Sequence, residues 1–65
     1  MTENYEKLEL LMIDIHNTKT EVKLLEKSIE LTIDSKERHD LGSVLLGERM
    51  KLMDLENQLQ RASEN

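Results

Sequence analysis

Apolar residues recur along this chain at alternating steps of three and four, in two runs of nearly equal length. The first run is Leu8, Leu11, Ile15, Thr18, Val22, Leu25, Ile29 and Thr32. The second is Leu41, Leu45, Glu48, Leu52, Leu55, Leu59 and Ala62. Such spacing marks one face of a helix at coiled-coil periodicity. No proline interrupts either run, so neither is broken by a missing N–H or a clashing ring. The pattern predicts an all-α fold, an antiparallel two-helix hairpin of coiled-coil type, spanning residues 1–65 as a single domain. Its hairpin seam is formed by Leu8, Leu11, Ile15, Val22, Leu25 and Ile29 on one helix, and by Leu41, Leu45, Leu52, Leu55 and Leu59 on the other.

The segment between the runs reads Thr32-Ile33-Asp34-Ser35-Lys36-Glu37. Asp34 with Glu37 three positions on has the form of a capping box, in which the first side chain accepts from an early helical N–H and the glutamate reaches back. Beta-branched Thr32 and Ile33 make a weak helix end. The expected helices cover about 3–32 and 35–62, with the turn at about 32–36. A hairpin turning there pairs Leu8 with Leu59, Ile15 with Leu52 and Val22 with Leu45. It also brings Thr18 to Glu48, so that the polar interruptions of both runs share one layer and fix the register. The alternative turn is Leu41-Gly42-Ser43, with Gly42 as a left-handed C-cap and Arg38 and His39 in the last turn before it. That turn would leave much of the first seam uncovered. With the earlier turn, both glycines fall inside the second helix, where each costs about 1 kcal/mol relative to alanine. Ser43 and Gly47 then lie on one face, where a neighbouring helix can approach closely.

A two-helix hairpin needs one stripe per helix, and this chain has apolar residues to spare. Leu10, Ile13, Leu24 and Leu31 lie beside the first seam and Met12 on its other flank. Val44, Leu46, Met50 and Met53 lie beside the second. Left in water, these would form a contiguous patch of the kind that marks an interface. Methionine adapts to irregular partners and is common on surfaces that receive helices. Leu10, Ile13, Leu24, Leu46, Met50 and Met53 are the expected interface. Its occupant is a protein partner: a second copy pairing the hairpins into a four-helix bundle homodimer, a heterologous helical partner, or each in turn.

Composition narrows the class. A 65-residue chain buries little of its surface and usually needs a staple. It has no cysteine for a disulfide or thiolate site, and Tyr5 is its one aromatic residue. Oligomerisation or a larger partner remains. Charged residues make up 35% of the chain and the net charge is −5. Such a balance permits disorder, but the periodic placement of Leu, Ile, Met and Val argues for helix. The longest apolar run, Leu10 to Ile13, is far short of the ~20 residues that span a bilayer. With no signal-peptide pattern at the start, the expected location is cytoplasmic, or wherever a partner delivers it.

Catalytic and metal-binding patterns are absent from the sequence, so the chain is expected to be no enzyme and to carry no cofactor. A bundle metal site uses Glu-x-x-His; Ile13 precedes His16 at that spacing and Lys36 precedes His39. There is no glycine-rich phosphate loop, no Ser-His-Asp set and no cysteine nucleophile. Carboxylates on two helices line solvated faces, with no cleft to enclose a pair. Lys19, Lys23 and Lys27 form a basic strip, with Lys23–Glu26 and Lys27–Glu30 spaced to pair. The strip is first a solvated helix face. Its functional alternative is an RNA- or nucleic-acid-binding face, which the acidic net charge disfavours.

In layout the chain resembles the plasmid RNA-binding hairpin proteins of the Rop type, which are also short, acidic and two-helical. The nearest local likeness is LLEKSIEL, residues 24–31, a stretch of common helix formers without a functional motif. The aromatic and basic residues that such proteins present to RNA have no counterpart here. Small type III secretion co-chaperones are similar in size and layout alone. The resemblances extend to layout; the surplus apolar surface without catalytic chemistry is what leads to the expected function, a small non-enzymatic protein-binding module acting as regulator, chaperone or assembly factor.

Overall fold

A computed structural model describes the backbone of residues 2–64 and the side chains of residues 5–64. Two α-helices, α1 (Thr2–Leu31) and α2 (Ser35–Glu64), pack against each other as a hairpin. Each has 30 residues, about 45 Å at 1.5 Å per residue. The hairpin is a rod of 51 × 14 × 12 Å. Its radius of gyration is 15.0 Å, against about 11 Å for a compact chain of this length. Two helices side by side, with no third layer, have a seam in place of an interior.

The connection is residues 32–34, and its chemistry is local. α1 closes with the Thr32 N–H donating to the Ile29 carbonyl at 3.3 Å, while the Thr32 hydroxyl donates to the Ser28 carbonyl at 2.6 Å. Asp34 then caps α2. Its carboxylate accepts the Lys36 N–H at 3.2 Å, and its carbonyl accepts the Arg38 N–H at 3.0 Å, which are the two bonds an N-cap residue makes. The return bond from Glu37 to the Asp34 N–H is not formed among the described residues, so only half of the capping box is built. Glu37 still lies in the first turn of α2, where its charge suits the helix dipole. Gly42 and Ser43, the alternative turning point, lie inside α2. Neither glycine has positive φ.

Every residue of the two heptad runs is buried or half-buried. The buried ones are all on α1: Leu11, Ile15, Thr18 and Val22. α2 supplies leucine at five of its seven seam positions, and these long side chains cover the shorter Thr18 and Val22 opposite while their own edges stay wet. Thr18 is the most enclosed, at 3% exposure. Its hydroxyl donates to the Asp14 carbonyl of its own helix at 2.7 Å, which satisfies it without help from α2.

Glu48 lines a groove with Glu21, Leu24, Leu25 and Ser28 of α1, and its Oε2 is buried without a hydrogen-bond partner. These neighbours lie a little nearer the connection than residue counting places them, for a general reason. A helical side chain leans toward the N-terminus of its own helix. In an antiparallel pair both lean, so the side chains that meet carry numbers about one higher on each helix than backbone counting gives.

Candidate functional site

The heptad that builds the seam also decides where the remaining apolar residues go. With the seam turned inward, Leu10, Ile13, Leu24 and Leu31 fall on the outward back of α1. Leu46, Met50 and Met53 fall on the outward back of α2. Leu10, Ile13, Leu24, Leu46, Met50 and Met53 are 49–64% exposed. They form two stripes on opposite sides of the rod and not the single contiguous patch expected, because the seam directs each helix's back away from its partner. Counting heptad positions outward from the seam separates the stripes; grouping residues by helix alone does not.

Between the stripes the flanks are mixed, with exposed Tyr5, Met12 and Val44 among charged residues. One flank carries the Glu26–Arg49 ion pair, with both side chains at least half exposed, and pairs so exposed contribute little. The other flank has two open grooves. One, of about 260 Å³, lies at the open end of the hairpin beside Lys7, Leu11, Gln58 and Ala62. The second, also about 260 Å³, is lined by Leu24, Leu25, Val44 and Ser28 with Glu21 and Glu48. Neither encloses a reacting group on all sides, and the described residues contain no group of three or more His, Asp or Glu able to hold a metal ion. Among the described residues, no helix is long and apolar enough to cross a membrane.

Lys19, Lys23 and Lys27 are all exposed on α1. Steps of four drift around a helix, so the three lysines wind from the flank toward the back, with Glu26 and Glu30 beside them. Gly42 and Gly47 have nothing within 4 Å of the position a Cβ would occupy. The hairpin therefore has no packing need for either glycine, and no helix within the chain approaches the Ser43–Gly47 face.

Compared with known proteins, the chain matches no family model, no curated protein and no solved structure.

Proposed function

We propose that this chain is a small non-enzymatic protein-binding module, a regulator, chaperone or assembly factor that acts through the exposed apolar backs of its helices. The observation that supports the reading is the exposure of Leu10, Ile13, Leu24, Leu46, Met50 and Met53 on a rod with no interior. Large apolar side chains exposed on one face of a helix are what interfaces draw on. A chain this short also lacks the core to stand well alone. The partners are a second copy, giving a homodimer of four helices, and a heterologous helical segment. Methionines on the back of α2 suit the second of these, since a flexible thioether side chain repacks against partners of different shape.

The test compares the natural chain with a quadruple variant, Leu10→Glu, Leu24→Glu, Met50→Glu and Met53→Glu. Both are measured for self-association by sedimentation and for specific capture of partners from the native host. The natural chain is expected to associate with itself or with a partner, and the quadruple variant to do neither. A natural chain that stays monomeric and captures the same proteins as the quadruple variant would remove the reading.

A further inference from the structure

We propose that the groove between α1 and α2 beside Glu48 takes a basic amphipathic helix of a heterologous protein; this rests on the protein-binding reading above and names the chemistry of the partner. The groove has an apolar floor and an acidic rim. Leu24, Leu25 and Val44 line it with Ser28, Glu21 and Glu48. Leu24 and Val44 are 62% and 52% exposed, so the hairpin leaves the floor uncovered. Glu48 has its Oε2 buried without a hydrogen-bond donor. Among the described residues, Glu21 and Glu48 make no ion pair.

Heptad steps from the groove's own residues place the charges of its flank. Asp14 precedes Glu21 by seven. Glu37 and Lys51 lie seven to either side of Val44, and Asp40 and Asp54 seven to either side of Gly47 on the next column. From Glu37 to Asp54, about 25 Å at 1.5 Å per residue, this flank carries Asp14, Glu21, Glu37, Asp40, Glu48 and Asp54 against Lys51. Lys7 and Arg61 stand beyond that stretch, at the open end of the hairpin. Over the rest of the described residues the signs nearly balance. Lys19, Lys23, Lys27, Lys36, Arg38 and Arg49 stand against Glu6, Glu9, Glu26, Glu30, Asp34, Glu56 and Glu64. The net charge of −5 is therefore concentrated along one stretch of one flank, and the groove lies inside it.

That concentration selects the occupant. A partner that covers Leu24 and Val44 brings apolar side chains, and it must bring cations to the rim, because like charges across an interface repel and unlike charges steer encounter. Arginine and lysine serve both needs, with the stem along the leucines and the head at the carboxylates. A cation beside Glu48 also supplies the opposite charge that its partly buried carboxylate lacks. The furrow between two packed helices is straight, and an amphipathic helix is the segment that lies in such a groove. A second copy fits less well. Laid flank on flank in opposite directions, it brings Lys7 and Arg61 to a stretch with six carboxylates. Laid in the same direction, it sets the two acidic stretches against each other.

Fluorescence anisotropy with a labelled synthetic helix reads the inference. The probe has about 18 residues, to match the stretch at 1.5 Å per residue, with leucine on one face and arginine along both edges. Its counterpart carries glutamate for every arginine. The natural chain is expected to bind the arginine helix at least about tenfold more tightly than the glutamate helix, and less tightly as salt rises from about 0.05 to 0.5 M. Glu21→Gln with Glu48→Gln should weaken binding at least about tenfold. Glu26→Gln with Glu56→Gln removes the same charge from the opposite flank, and should leave the affinity within about twofold because salt screens charges that distant. Val44→Lys supplies an arm that leaves the seam alone: at a half-exposed helix position it puts a cation in the groove, and it should weaken binding as strongly as the Glu21/Glu48 pair. Circular dichroism establishes that each variant is folded. Equal binding of the glutamate helix, no binding of the arginine helix, equal loss from the two glutamine pairs, or full binding by Val44→Lys overturns the inference. So does a natural chain that dimerises in sedimentation while the Glu21/Glu48 variant does not, since the occupant is then a second copy. A chain that does not bind the arginine helix yet captures host proteins that the quadruple variant fails to capture overturns it while leaving the protein-binding reading intact; one that does neither overturns both.

Discussion

Gly42 and Gly47 lie in the interior of α2 with open space where a side chain would begin. Neither uses a backbone conformation that alanine lacks. Alanine at either position should therefore stabilise the hairpin by about 0.5–1 kcal/mol, through the helix propensity gained and the unfolded-state freedom removed. Urea unfolding of the two single variants checks this, and no gain at Gly47 would point to an approach by a partner that the chain alone does not reveal. Asp34 is the opposite kind of residue, small in contact but decisive in place. Its carboxylate bond to Lys36 and its carbonyl bond to Arg38 start α2. Asp34→Ala should cost about 0.5–2 kcal/mol, and Asp34→Asn much less, because asparagine caps equally well. By contrast, Glu26→Gln removes a pair exposed on both sides and should change stability by no more than about 1 kcal/mol.

The two helices bear unequal shares of the seam. α1 holds the buried residues and α2 holds none among those described. Truncation should follow that asymmetry. Ile15→Ala, at 7% exposure, should cost about 2–5 kcal/mol, and Leu52→Ala, half-buried, should cost less. Circular dichroism melts of the two variants decide the order, and a larger loss at Leu52 would mean that a further surface covers α2. Glu48 is the seam's one acidic member. One of its two carboxylate oxygens, Oε2, is buried without a donor, and an unsatisfied buried acceptor costs about 1–3 kcal/mol. Glu48→Leu should accordingly raise the melting temperature. It should also loosen the choice of register, since a polar member of an apolar seam disfavours slipped alignments.

At the scale of the whole molecule, the rod turns one apolar stripe outward on the back of each helix, on opposite sides. A substitution can therefore change one of these sides without touching the other. Met50→Glu with Met53→Glu places charge on the back of α2, away from both the seam and the back of α1. Helicity should be retained, and binding of a partner through that side should be lost, because a buried charge would lack a counter-ion. Loss of self-association in this variant would place a second copy on the back of α2. Sedimentation of this double variant beside one carrying Leu10→Glu and Leu24→Glu separates the two sides.

Much of this architecture is legible in one sequence, because the physics behind it is local. The spacing from Leu8 to Thr32 and from Leu41 to Ala62 specifies two helices and the face each turns inward. Asp34 starts the second helix by bonds that span four residues. The hairpin follows, since two seams of equal length joined by a short connection can bury each other only by folding back. Three features needed the docked pair. The lean of side chains along antiparallel axes brings Glu48 to a groove it shares with Glu21, Leu25 and Ser28, and counting residues around a turn omits that lean. The failure of Glu37 to close the capping box depends on a rotamer that a motif does not specify. The division of the surplus apolar residues into two sides depends on how each helix is rotated about its own axis, which is settled only when both seams meet. Periodicity along a chain states which residues share a helix face; where that face points is a relation between two helices, and only packing supplies it.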